Sequence, residues 1–134
     1  MSSTPSRGKS RSLGAEPQRG PLPGPNRGPS RGDVWWVRLD PTVGSEIKKT
    51  RPCLVLTTNL VNERRRTVVV VPLSTSRQAA PPLLVPIQCA GRAVVAVVDQ
   101  IRAVAKERLQ QRLGTISSQH LKTVEEALRQ ILEL

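Results

Sequence analysis

Apolar residues fall into short runs from position 33 onward, each closed by turn chemistry. Residues 33–39 (Asp-Val-Trp-Trp-Val-Arg-Leu) alternate imperfectly and predict a first strand. The Asp40-Pro-Thr-Val-Gly-Ser45 stretch that follows is turn chemistry. Residues 51–57 predict a second strand, with Pro52 near its start, where a missing N–H is tolerated. Residues 59–66 read as a polar connection. Residues 67–73 predict a third strand, whose four consecutive valines imply burial on both faces. A polar, Pro-ended loop covers 74–82. Strands are expected at 83–87, 93–98, 101–105 and 112–116, with a break at Asp99-Gln100 and a helical turn at 106–109. The chain ends in an amphipathic helix. Leu121, Val124, Leu128, Ile131 and Leu132 form its apolar face, Ser117 or Ser118 caps it, and Glu125 and Glu126 read as solvated positions. Many short strands followed by one helix indicate an α+β, mostly β, barrel-like fold of about six or seven strands.

The first 30 residues do not share this pattern. Up to position 31 the chain holds six Pro, five Gly and six Ser, and its large apolar residues are Met1, Leu13 and Leu22. Such a segment cannot bury enough surface to offset the entropy of ordering it. We expect a disordered basic tail at 1–30 and a folded domain at 31–134. The tail reads either as an RNA-attracting arm or as an upstream misassigned start.

Net charge is +11. Residues 1–31 carry six Lys/Arg against Glu16, or +5, and the rest carries fifteen against nine acids, or +6. The folded part is therefore basic in its own right, which favours polyanionic partners or simple solubility. No apolar run approaches the roughly 20 residues that span a bilayer, and no signal-peptide core appears. A soluble cytoplasmic protein is expected. Cys53 and Cys89 sit in apolar strand-like stretches, as buried free thiols do, and His120 is the single histidine, expected at the surface. No metal-ligand spacing is present, so no cofactor is expected.

Two clusters carry candidate chemistry. The first is Gly44-Ser-Glu46-Ile-Lys48-Lys49-Thr-Arg51-Pro52. It places a carboxylate and two lysines on a loop, and a permanently charged arginine where loop becomes strand. The second is Ser74-Thr75-Ser76-Arg77 at a strand exit, where hydroxyls can bond a phosphate or cap a turn. Arg64, Arg65 and Arg66 form a third basic group that would attract phosphates without reading bases. Trp35 and Trp36 are the only aromatics, and adjacent strand positions send one to the core and leave the other partly exposed.

The succession Arg31-Gly-Asp-Val-Trp35, Leu39-Asp-Pro-Thr-Val-Gly-Ser-Glu46, Lys49-Thr-Arg51-Pro52, Val71-Pro-Leu-Ser74 and Asp99-Gln100-Ile-Arg102 resembles the MazF/PemK toxin family over about 31–132. The resemblance implies an SH3-like barrel, a homodimer, and sequence-specific cleavage of single-stranded RNA as the toxin of a toxin–antitoxin pair. It also implies an antitoxin partner with a flexible acidic segment, and no membrane association. The family's essential arginine matches Arg51 and its loop carboxylate Glu46. Its hydroxyl after the third strand matches Ser74, with Thr75 adjacent, and the choice between them stays open. Some members carry an Arg two residues before the Asp matched by Asp99; here Val97 stands there.

The implied reaction uses the RNA 2′-hydroxyl as nucleophile, giving a 2′,3′-cyclic phosphate and a 5′-hydroxyl. Arg51 suits charge stabilisation, since a guanidinium seldom gives up a proton near neutral pH. Glu46 suits the base, and the acid has no assignment. Lys48, Lys49, Arg64, Arg65, Arg66, Arg77, Asp99, Gln100 and Arg102 are candidate RNA contacts. Two rivals share these features: a gyrase-inhibiting toxin of the same fold, and a non-catalytic nucleic-acid-binding barrel.

Overall fold

The computed structural model describes residues 28–39 and 50–134. Residues 1–27 of the tail expected at 1–30, and the expected turn and loop at 40–49 with Glu46, Lys48 and Lys49, lie outside the described residues. Among the described residues seven strands and two α-helices follow in order. They are β1 (Asp33–Arg38), β2 (Thr50–Val55), α1 (Asn59–Arg64), β3 (Thr67–Ser74), β4 (Leu84–Cys89), β5 (Arg92–Val97), β6 (Arg102–Ala105), β7 (Leu109–Thr115) and α2 (Ser118–Leu132). The sheet runs β4-β5-β3-β2-β1-β7, with β6 also on β3, and every pairing is antiparallel.

β3 explains the curl. Its first half, Thr67–Val70, pairs with β6, and its last two residues pair with β5. The chain passes from β5 to β6 through a 3₁₀ turn at Val98–Gln100. That turn is the break expected at Asp99-Gln100. The sheet therefore bends into a half-barrel with an apolar cluster on each face. One holds Val37, Cys53, Val55, Val68, Val70 and Val104. The other holds Val34, Leu54, Val71, Leu73, Ile87 and Ala96 beneath α2. The valine run of β3 feeds both clusters, as its lack of alternation implies.

α2 packs Leu121, Val124, Ala127, Leu128 and Ile131 onto the second cluster, and the Ser117 hydroxyl accepts the His120 N–H at its start. Three local expectations are corrected. Residues 59–64 form a helix rather than a plain connection. Thr58 caps it, and the buried Asn62 amide donates to Thr57 O at 2.8 Å. Leu132 is half exposed rather than seated in the core. Glu125 is not merely solvated: the Arg31 guanidinium binds both its carboxylate and Leu56 O, because Glu125 flanks Val124 where the chain enters β1.

Gly32 has φ +91, donates to Val55 O at 2.8 Å and accepts from Ile116 N at 3.0 Å. A side chain at that φ is strained, so glycine fits this three-way junction. Among the described residues no helix is long and apolar enough to cross a membrane.

Candidate active site

α2 covers only one end of the concave sheet face. At the other end Trp36 of β1, Pro52 of β2, Leu73 of β3 and Val94 of β5 remain as the floor of a cleft of about 350 Å³. Cross-strand register brings them together, since Trp36 pairs with Pro52, and Cys53, next along β2, pairs with Pro72. Leu113 of β7 closes one side. The β4–β5 hairpin closes the other, with Cys89, Ala90 and Arg92. Ala90 (φ 53) and Gly91 (φ 77) make that hairpin a tight two-residue turn, which sets Arg92 directly opposite Cys89. Thr50, Arg51 and Thr75 complete the lining. Among the described lining residues there are two cations and no acid.

The two clusters marked in the sequence therefore meet. Arg51, half-buried at the start of β2, and Thr75, exposed just past β3, face one cleft. Ser74 does not join them. It is 2% exposed, and its hydroxyl accepts the Ser76 N–H at 3.2 Å and lies 3.3 Å from the Ser76 hydroxyl. Strand alternation accounts for this: residues 73 and 75 share the cleft face, and 74 points to the other. Arg77 is exposed on the same loop, Asp99 and Gln100 are exposed on the 3₁₀ turn, and Arg102 opens β6.

Arg102 and Arg51 both act on Cys53. Burial pushes this thiol up to about 12, and the two guanidinium charges oppose that rise in part. Cys89, in the cleft wall, is likewise raised by burial. Both cysteines are free and buried, as expected. Arg64, Arg65 and Arg66 lie at the far end of β3, where Lys106 N bonds Arg66 O at 2.8 Å. An eight-residue strand separates them from Thr75, roughly 25 Å at 3.3 Å per residue. His120 is partly buried on α2, its Nδ1 accepting Gln88 N at 3.4 Å.

Sequence reasoning missed Arg92 and the cleft role of Trp36. The Ala90-Gly91 pair between two apolar runs is the signal that could have placed Arg92, since it marks a hairpin turn.

Cys53 carries a pH prediction. In the fold it keeps its proton at pH values where the unfolded chain has lost it. Its stabilising contribution is complete below pH 9 and is lost as pH rises from 9 toward 12. Across that window the wild type should lose about 1 kcal/mol more stability per pH unit than Cys53→Val. Denaturant unfolding at pH 8, 9.5 and 10.5 measures this, and parallel curves for the two proteins would refute it.

The profile of the PemK-like, MazF-like toxins of type II toxin–antitoxin systems matches residues 30–132. Endoribonuclease MazF9 of Mycobacterium tuberculosis is 32% identical over 112 residues, covering 77% of this chain and 95% of that protein. The crystal structure of MazF from Deinococcus radiodurans superposes with a TM-score of 0.71 at 25% identity, covering 81% of this chain and 100% of that one. A mycobacterial endoribonuclease in complex with its cognate antitoxin superposes with a TM-score of 0.67 at 25% identity, covering 79% of this chain and 96% of that one. By a match that spans the whole described fold, this chain belongs to the PemK-like, MazF-like family of type II toxins.

Proposed function

We propose that the protein is the toxin of a toxin–antitoxin pair and acts in the cytoplasm as an endoribonuclease on single-stranded RNA. The observation that carries this is the convergence of Arg51 and Thr75 on one cleft with no acid among its described lining. A polyanion enters such a site without charge repulsion, and its phosphate meets a fixed guanidinium and a hydroxyl donor. The relative named above is an endoribonuclease, which supports the same reaction.

In the proposed mechanism the RNA 2′-oxygen attacks the adjacent phosphorus and the P–O5′ bond breaks, the departing 5′-oxygen taking its proton from water. The products are a 2′,3′-cyclic phosphate and a 5′-hydroxyl. Glu46, five residues before Arg51 in sequence, takes the 2′-hydroxyl proton. Arg51 stabilises the charge that builds on the phosphoryl oxygens, and Thr75 donates to one of them. Ser74 is the weaker choice for that donor because its oxygen already accepts within the turn. Arg77, Gln100 and Arg102, which lie outside the cleft lining, and Lys48 and Lys49, which precede Arg51 in sequence, would contact RNA beyond the reacting phosphate. Asp99, an acid, belongs to this group only by the family motif. Arg64, Arg65 and Arg66 would engage phosphates farther along the strand. Among the described residues no three His, Cys, Asp or Glu gather as a ligand set, and the proposed steps call on no metal.

A homodimer is the proposed working unit. Val61, Leu132 and Leu134 line an open groove of about 620 Å³ with Leu56, Val69 and Leu128. Leu132 and Leu134 are 51% and 82% exposed, and an apolar surface of this kind suits an interface. The antitoxin partner would present an acidic flexible segment to the basic domain, as charge complementarity favours.

The test is purified protein with a long single-stranded RNA in excess EDTA, with the new 5′ ends mapped. Discrete 5′-hydroxyl ends are expected. A need for added metal would overturn the mechanism, and intact RNA would overturn the nuclease.

A further inference from the structure

The cleft has two chemically different parts, and the proposed phosphate chemistry uses only one. Its exposed rim carries Arg92, Thr75 and Thr50 beside Arg51. Its floor is apolar: Leu73 is 1% exposed and Val94 8%, while Trp36 and Pro52 are half-buried and Leu113 is 39% exposed. Cations and hydroxyls suffice to hold a phosphate. An indole and an exposed leucine beside them add nothing to that task.

A nucleotide joins both requirements in one unit, a flat π surface next to an anion. We propose that Trp36 is a base-binding residue: one unstacked base of the RNA strand lies on Trp36 against Leu113, while its adjoining phosphate sits at the Arg51–Arg92 rim. This rests on the reading of the cleft as an RNA site. The cleft volume of about 350 Å³ is near the lower end for small-molecule pockets, about 300–1,000 Å³. It therefore takes one base, not a run of them. Trp35 cannot substitute. Its indole N–H donates to the buried Asp33 carboxylate at 3.2 Å, and its ring packs on the opposite apolar cluster. With no Phe or Tyr in the chain, Trp36 is the single aromatic face offered to substrate. Arg92 follows as the second cation of the same nucleotide, presented by the tight Ala90-Gly91 turn.

The test uses a short single-stranded oligonucleotide lacking 2′-hydroxyls, which binds but supplies no nucleophile. Tryptophan emission is followed during titration, and affinity is measured by anisotropy of a labelled copy. Wild type should be quenched. Trp36→Phe should bind nearly as well but show no quenching, because only Trp35 remains. Trp36→Leu, which keeps apolar volume without a π face, should bind roughly 5- to 150-fold more weakly, the range for loss of one stacked base. Three results overturn the proposal: saturating oligonucleotide leaves wild-type emission unchanged, quenching persists in Trp36→Phe, or folded Trp36→Leu binds like wild type. Should Trp36→Leu not fold, the comparison of wild type with Trp36→Phe decides alone. Quenching by an acidic peptide but not by the oligonucleotide assigns the floor to a protein partner and overturns the proposal too. A parallel assay with the all-RNA copy separates the two readings. Cutting without quenching removes only the base seat. Quenching without cutting removes only the nuclease.

Discussion

Arg51→Ala is expected to cut RNA 100- to 1,000-fold more slowly than wild type, with a much smaller change in KM. The expectation comes from where charge appears during the reaction. In the ground state a phosphodiester carries one negative charge, and several cations can hold it. As the 2′-oxygen attacks, charge accumulates on the phosphoryl oxygens, and a group fixed beside them gains interaction energy at that moment only. Removal of one such preorganised donor costs about 2.7–4 kcal/mol in transition-state stabilisation. Arg51 is suited to this because Pro52 and the buried run Cys53–Leu54–Val55 fix its backbone, and it is one of the two cations among the residues lining the cleft. Arg51→Lys keeps the charge but loses the planar fork, so it should fall between the two. Stability should barely change, since Arg51 is not a member of either apolar cluster. Single-turnover cleavage in EDTA provides the measurement. A mutant as fast as wild type would remove Arg51 from the mechanism.

The elements legible in the sequence are those whose burial leaves a periodic trace. β3 reads clearly because Val68, Val70 and Val71 feed apolar clusters on both faces of the sheet. α2 reads clearly because one face of a long helix repeats. α1 leaves no such trace: it has six residues, and its Leu60 and Val61 are exposed. Its support is the Thr58 cap and the Asn62–Thr57 bond, which no hydrophobic pattern reveals. Arg31–Glu125 was hidden for a related reason, since it joins residues 94 apart in sequence.

The site divides in the same way. Arg51 and the Ser74-Thr75 pair stand out as polar groups beside buried strands, so their candidacy needs only local reading. Which hydroxyl faces the cleft follows from alternation along β3, with Leu73 as the reference. That step requires knowing which face of Leu73 is covered by what. Trp36 and Arg92 need more still: the β1–β2 register and the geometry of a hairpin 54 residues past Trp36. Convergence across six strands is a tertiary property, and no spacing in the chain encodes it directly.

Asp33 separates scaffold from chemistry within the family motif, and Asp33→Ala should be the most destabilising single change at a polar residue. The carboxylate is 1% exposed. One oxygen accepts Ser30 N at 2.9 Å and the Trp35 indole N–H at 3.2 Å, and the other faces Arg112 Nε at 3.3 Å. One side chain thus ties together the entry to β1, the Trp35 indole packed on the Val37–Cys53–Val55 cluster, and strand β7. Truncation takes the acceptor from two part-buried donors, each costing about 1–3 kcal/mol where water cannot replace it. The ion pair adds less than a fully buried one would, because Arg112 is about one-third exposed and partly solvated. A loss of about 3 kcal/mol is expected, which in a domain of this size lowers Tm by about 10–20 °C. Asp33→Asn keeps an acceptor of the same shape and should lose about half as much. At a temperature where the variant is folded, its kcat on RNA should match wild type, because Asp33 does not line the cleft. Thermal unfolding and cleavage measured on the same preparation decide the point. An Asp33→Ala protein with wild-type Tm would show that the three contacts carry no net stability, and a folded variant with strongly reduced kcat would move Asp33 from scaffold to chemistry.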